Sequence, residues 1–125
     1  MISGVITPSR EAVVNLILYT LAGTELEIGF VVDTGFNSSL TLPPDLIEGL
    51  DNRFVGVSEV TLADGSVCEI RIFKCIVSWM DKRLAATVFE MKAQPLLGMA
   101  MLYGNEIRMP VLDGAQFTVT PLPNI

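Results

Sequence analysis

The chain of 125 residues contains no histidine, and that one absence removes most hydrolytic chemistry at a stroke. Without an imidazole neither a Ser-His-Asp nor a Cys-His arrangement can be assembled. With two cysteines and no histidine, no ordinary zinc site is expected either, and no cofactor or metal is called for. Cys68 and Cys75 stand seven residues apart in a segment that reads as one strand, which separates them by about 23 Å if it is extended. They cannot bridge each other there and read as reduced, small apolar residues. Basic residues are few and scattered, eight against fourteen acidic, for a net charge of -6. Phosphate-backbone binding needs a concentrated basic face, so nucleic acid is not an expected partner.

Long apolar runs are also missing. Half of the residues are hydrophobic and the mean hydropathy is +0.53, yet Asp, Glu, Asn, Thr or Lys interrupts every run before the roughly 18 residues of a membrane span. Apolar content in excess of a core, with no membrane helix, points to a buried subunit interface. No basic segment followed by an apolar stretch and cleavage site opens the chain, so a cytoplasmic, non-membrane protein is expected. The length suits one domain, taken as residues 1–125.

What is present is mostly strand and turn. Ala12 to Leu21 and Glu25 to Asp33 are aliphatic, β-branched runs separated by Ala22-Gly23-Thr24, a hairpin pattern that leaves Asp33 at a strand end. Proline at 43 and 44, with apolar residues at 46, 47 and 50, predicts a short helix over 43–50. Val57 to Ala63 and the segment from Ser66 onward flank Asp64-Gly65 as a second hairpin. Along its return strand the apolar phase switches at Phe73, which implies a bulge or a change of sheet. A strand over Leu84 to Met91 follows an Asp81-Lys82-Arg83 turn. Glu106 to Leu112 and Ala115 to Thr120 flank Asp113-Gly114 as a third hairpin, and a second short helix falls near 98–104. The pattern is all-β with one or two short helices, a closed or nearly closed barrel or a small sandwich.

One stretch carries chemistry. Phe30-Val31-Val32-Asp33-Thr34-Gly35 brings a carboxylate to the end of an apolar strand and backs it with glycine. It continues as Phe36-Asn37-Ser38-Ser39-Leu40-Thr41-Leu42-Pro43, and about sixty residues later comes Pro95-Leu96-Leu97-Gly98-Met99-Ala100-Met101-Leu102. This order resembles the retropepsin-like aspartic proteases, in particular the short single-domain bacterial type, over about residues 12 to 121. The resemblance implies an acid-protease closed barrel in a two-fold homodimer. It implies an aspartic endopeptidase in which Asp33 of each subunit activates water, Thr34 and Gly35 support the active-site loop, and Leu96, Leu97 and Gly98 pack beneath it.

A single Asp-Thr-Gly fits that implication, because peptide hydrolysis by this route needs two carboxylates sharing a proton and the second must come from a second subunit. The hairpin tip at Ala63, Asp64 and Gly65 is the candidate flap over a peptide or protein substrate. Phe36, large where retroviral and pepsin-like members carry a small residue, narrows the neighbouring subsites. Asp113 lacks the hydroxyl neighbour and reads as a hairpin turn; Met99, Met101 and Met109 read as core or interface filling. The alternatives are a retropepsin-fold dimerisation or peptide-binding module with little or no proteolysis, and a regulatory, antitoxin-like partner protein of unrelated small-barrel fold.

Overall fold

Alternation of apolar and polar residues dictates the architecture. In the computed structural model, which describes residues 1–123, ten strands form one sheet and two short helices interrupt it. The elements are β1 (Ile2–Ile6), β2 (Ala12–Tyr19), β3 (Glu25–Val32), β4 (Leu40–Leu42), α1 (Pro44–Gly49), β5 (Asn52–Thr61), β6 (Val67–Trp79), β7 (Lys82–Glu90), β8 (Leu96–Leu97), α2 (Met99–Leu102), β9 (Asn105–Arg108) and β10 (Gln116–Pro121). The sheet runs β5-β6-β7-β4-β8-β3-β2-β1-β10-β9. It curls until β6 also meets β2, at the single pair Leu18↔Val77. The fold is therefore all-β, but closure rests on one residue pair and the expected clean closed barrel is not what forms.

Inside the curl lies one apolar cluster. Val14, Leu16 and Leu18 of β2 face Phe30 of β3, Val77 of β6, Val88 of β7 and Phe117 of β10, all buried. The one buried polar side chain among the described residues is Thr41, whose Oγ1 accepts a hydrogen bond from the Leu96 amide at 2.9 Å. Thr41→Val keeps the shape and orphans that amide. The expected loss is about 1–3 kcal/mol in urea unfolding.

Turn chemistry departs from expectation in instructive ways. The Asp64-Gly65 connection is not a two-residue turn, which would need positive φ at both residues. Only Gly65 is left-handed (φ 85°), and the loop is three residues long, closed by Gly65 N–H to Leu62 O at 2.9 Å and Leu62 N–H to Ser66 O at 2.8 Å. The same closure recurs at 20–24 around Gly23 (φ 82°) and at 7–11, where Arg10 takes the left-handed position (φ 64°). The two-residue turn occurs instead at Met80-Asp81, with φ of 51° and 63° and no glycine. Trp79↔Lys82 is already a strand pair, so β7 starts two residues before the expected Leu84. Replacing Met80-Asp81 by Asn-Gly puts a residue that tolerates the left-handed region at 80 and one with no side chain at 81, and is expected to raise stability by about 1 kcal/mol, read as a higher melting temperature.

The third hairpin also differs. β9 stops at Arg108, because Pro110 has no N–H to offer a ladder, so 109–115 is a loop rather than strand. Its Asp113-Gly114 turn is pinned to β1 by Gly114 N–H to Ile6 O at 2.8 Å. β1 itself is unforeseen; it pairs with both β10 and β2. The apolar phase switch along β6 is real, Ile70 and then Phe73, Cys75, Val77 and Trp79 being buried. The switch falls where β7 stops pairing with β6, at Ile72↔Phe89, beyond which Ile70 lines a cleft instead, and the register of β5 slips opposite it between Phe54 and Gly56. Among the described residues no helix is long and apolar enough to cross a membrane.

Candidate functional site

Asp33 sits where the sheet lets go of the chain. β3 runs parallel to β8 through Val31↔Leu96 and Val32↔Leu97, and the last sheet-like bond is Asp33 N–H to Leu97 O at 2.9 Å. The chain then turns: Gly35 N–H donates to Asp33 Oδ1 at 2.9 Å and Phe36 N–H to Asp33 O at 3.2 Å. Asp33 is half-buried, and Thr34 and Gly35 are exposed. A carboxylate is thereby fixed at its base by the sheet and at one oxygen by a backbone amide. Its other oxygen is left to act.

Residues 36–39 of the same loop lie on the start of α2. Met99 N–H donates to Phe36 O at 2.8 Å, Ala100 N–H to Ser38 O at 3.2 Å, and Gly98 N–H to Ser39 O at 2.8 Å. No side chain caps α2; the loop carbonyls satisfy its first amides instead. Gly98 is what permits this approach. A Cβ there would overlap the Ser38 carbonyl oxygen and lie 2.5 Å from Phe36 Cδ2 and 2.6 Å from Phe36 O. Leu97 is fully buried and Leu96 half-buried.

Asp33 opens into a cleft of about 590 Å³. Gly35, Phe36 and Leu96, named from the sequence, line it with Asp33; Thr34, Leu97 and Gly98 do not. Ala63, Asp64 and Gly65 are exposed at the hairpin tip and do not line it either. The hairpin contributes Val60, Thr61 and Ile70 from its strands. Asp64 is occupied locally, accepting at Oδ1 from Ser66 Oγ (2.6 Å) and Ser66 N–H (2.9 Å), bonds that lower its pKa. β7 pairs with β6 only as far as Ile72↔Phe89, so beyond that pair the β5–β6 ribbon runs on without it. Arg71 and Glu90 clamp the ribbon's base in a two-pronged ion pair (2.9 and 2.7 Å) that raises the arginine's pKa.

Phe89 and Met91 were not foreseen as cleft residues. The signal was there for Phe89: Ala86 and Val88 alternate inward, so a phenylalanine at 89 falls on the outer face, where only a site or partner gives it company. Its ring stands edge-on to Phe36 at 5.6 Å and 73°.

The remaining sequence candidates lie elsewhere. Asp113 is in the loop tied to β1, and Met101 is core, whereas Met99 and Met109 are exposed. Cys68 and Cys75 are both free, and no cluster of three or more His, Cys, Asp or Glu that could hold a metal occurs among the described residues. Burial, then the nearby Asp51 charge, pushes the Cys75 thiol from 9.0 up to about 11. The folded chain keeps this thiol neutral after the unfolded chain has ionised. Its contribution to stability is therefore complete below pH 9.0 and lost as pH rises through about 11. A urea midpoint that falls over that window, with half-buried Cys68 alkylated well before Cys75, is the expected outcome.

No protein-family model, curated protein or solved structure matches the chain.

Proposed function

We propose that the protein is a retropepsin-like aspartic endopeptidase, active in the cytoplasm as a two-fold homodimer in which Asp33 of each subunit forms the catalytic pair. One observation carries the reading: Asp33 stands at the end of β3, anchored to β8 and to the Gly35 amide, inside a cleft bounded by the β5–β6 ribbon. Two such carboxylates about 3 Å apart cannot both ionise, so they share one proton. The ionised one takes a proton from water as it attacks the scissile carbonyl, while the protonated one donates to the carbonyl oxygen. Exposed Thr34, beside Asp33, is free to reach across the two-fold axis and join the two loops. Free cysteines suit a reducing compartment.

A second reading, a dimeric peptide-binding module with little proteolysis, draws on Phe36 and Phe89, which take up room beside Asp33. Dilution separates the two. For the protease, sedimentation gives a dimer, and specific activity per subunit falls as the dimer is diluted apart. Peptide binding without cleavage by a dimer favours the module, and a monomer that cleaves overturns the paired-aspartate chemistry.

A further inference from the structure

Phe36 is held from three directions. Its backbone N–H and carbonyl are both committed, to Asp33 O at 3.2 Å and from Met99 N–H at 2.8 Å. Phe89 meets its ring edge-on at 5.6 Å. Its Cδ2 lies 2.5 Å from where a Cβ on Gly98 would stand. A ring so seated cannot swing aside to admit a larger group without disturbing the loop that carries Asp33 three residues away. Across the cleft, Val60 and Ile70 of the ribbon are apolar; Asn37, Ser38 and Thr61 add uncharged polar groups, and Asp33 is the one ionisable side chain among the lining residues. An acidic side chain entering there would give up water and meet only the like-charged Asp33 carboxylate.

We propose that Phe36, braced by Phe89 and Gly98, sets an upper limit on the size of the side chain accepted beside Asp33. The occupant is an uncharged aliphatic side chain of an extended peptide, of leucine or methionine size. Tryptophan and tyrosine are excluded by the ring, and aspartate and glutamate by the Asp33 carboxylate. This rests on the proposed peptide cleft and names the substrate class it takes.

The test compares wild type, Phe36→Ala and Phe36→Leu on one peptide series in which the residue on either side of the cut is varied from Ala to Trp. Both the cleavage rate and, in Asp33→Asn protein, the binding of the same peptides are measured. The expected result is at least about a ten-fold rise in kcat/KM for Trp- and Tyr-bearing peptides relative to Leu-bearing ones. The pH profile should be unmoved, because Phe36 carries no proton. Phe36→Leu keeps an apolar filler over Gly98 and reads the same limit if Phe36→Ala fails to fold. Unchanged size preference in a folded variant overturns the inference while leaving the protease standing. Binding without cleavage, with a size limit that relaxes in the variants, upholds the inference and overturns the protease. Neither binding nor cleavage overturns both.

Discussion

Asp33→Asn is expected to lower peptide cleavage by roughly 10²–10⁴-fold or more, the scale on which a positioned acid or base contributes. The substitution is nearly isosteric, and the asparagine oxygen can still accept the Gly35 amide that now donates to Asp33 Oδ1 at 2.9 Å. The melting temperature should therefore stay within the small range of surface substitutions, about 0.5 kcal/mol in stability. Assembly gives a second readout. Paired asparagines can still hydrogen-bond across the two-fold axis as the proton-sharing carboxyls do, so the variant should sediment as a dimer like wild type. Lost activity with a lost fold would say nothing of catalysis. Retained activity in a folded variant would remove Asp33 from the chemistry.

Gly98→Ala is the companion experiment on the scaffold. The added methyl has nowhere to go: two of its three near neighbours are backbone carbonyl oxygens, and the third is the Phe36 ring. Backbone cannot rotate out of the way as a long side chain can, so the Asp33 loop or α2 must move. A cost of about 3 kcal/mol or more is expected, at the upper end for overpacking. At this chain length that lowers the melting temperature by roughly 10 °C or more. Gly49→Ala is the matched control, because nothing lies within 4 Å of the corresponding Cβ. It should leave stability nearly unchanged and activity intact. Equal behaviour of the two variants would mean that the loop does not rest on Gly98.

The strands nearest Asp33 were the most legible part of the sequence, because each local signal agreed with the tertiary outcome. β2 and β3 announce themselves by aliphatic alternation with glycine at the left-handed turn position, and α1 by proline in its first turn. Asp33, Gly35 and Phe36 line one cleft together with Leu96, which the sequence offers only as support beneath the loop; the strands that bring them together, β3 and β8, meet only in a long-range parallel pairing.

Less legible was whatever depends on partners distant in the chain. Val60, Thr61 and Ile70 reach the cleft because the ribbon carries them there, which no local pattern encodes; the strongest local signal of that hairpin, Asp64-Gly65, lies at the tip instead. β1 is half-buried at Ile2 and Gly4 and fully buried only at Ile6, and its ladder to β10 joins opposite ends of the chain. Met80-Asp81 adopts the turn without the usual residues because the long ladder between β6 and β7 imposes it. The switch of face along β6 was visible in its own sequence, but that it marks the end of the ladder to β7 was not.

Cleavage of a diverse peptide library, followed by mass spectrometry from acidic to neutral pH for wild type and Asp33→Asn side by side, goes straight to the proposed chemistry. A paired-aspartate endopeptidase gives internal cuts between uncharged residues with the wild-type dimer and none with the variant. A folded wild-type dimer that binds peptides yet produces no cuts at any pH, or cuts that persist in the variant, would contradict it.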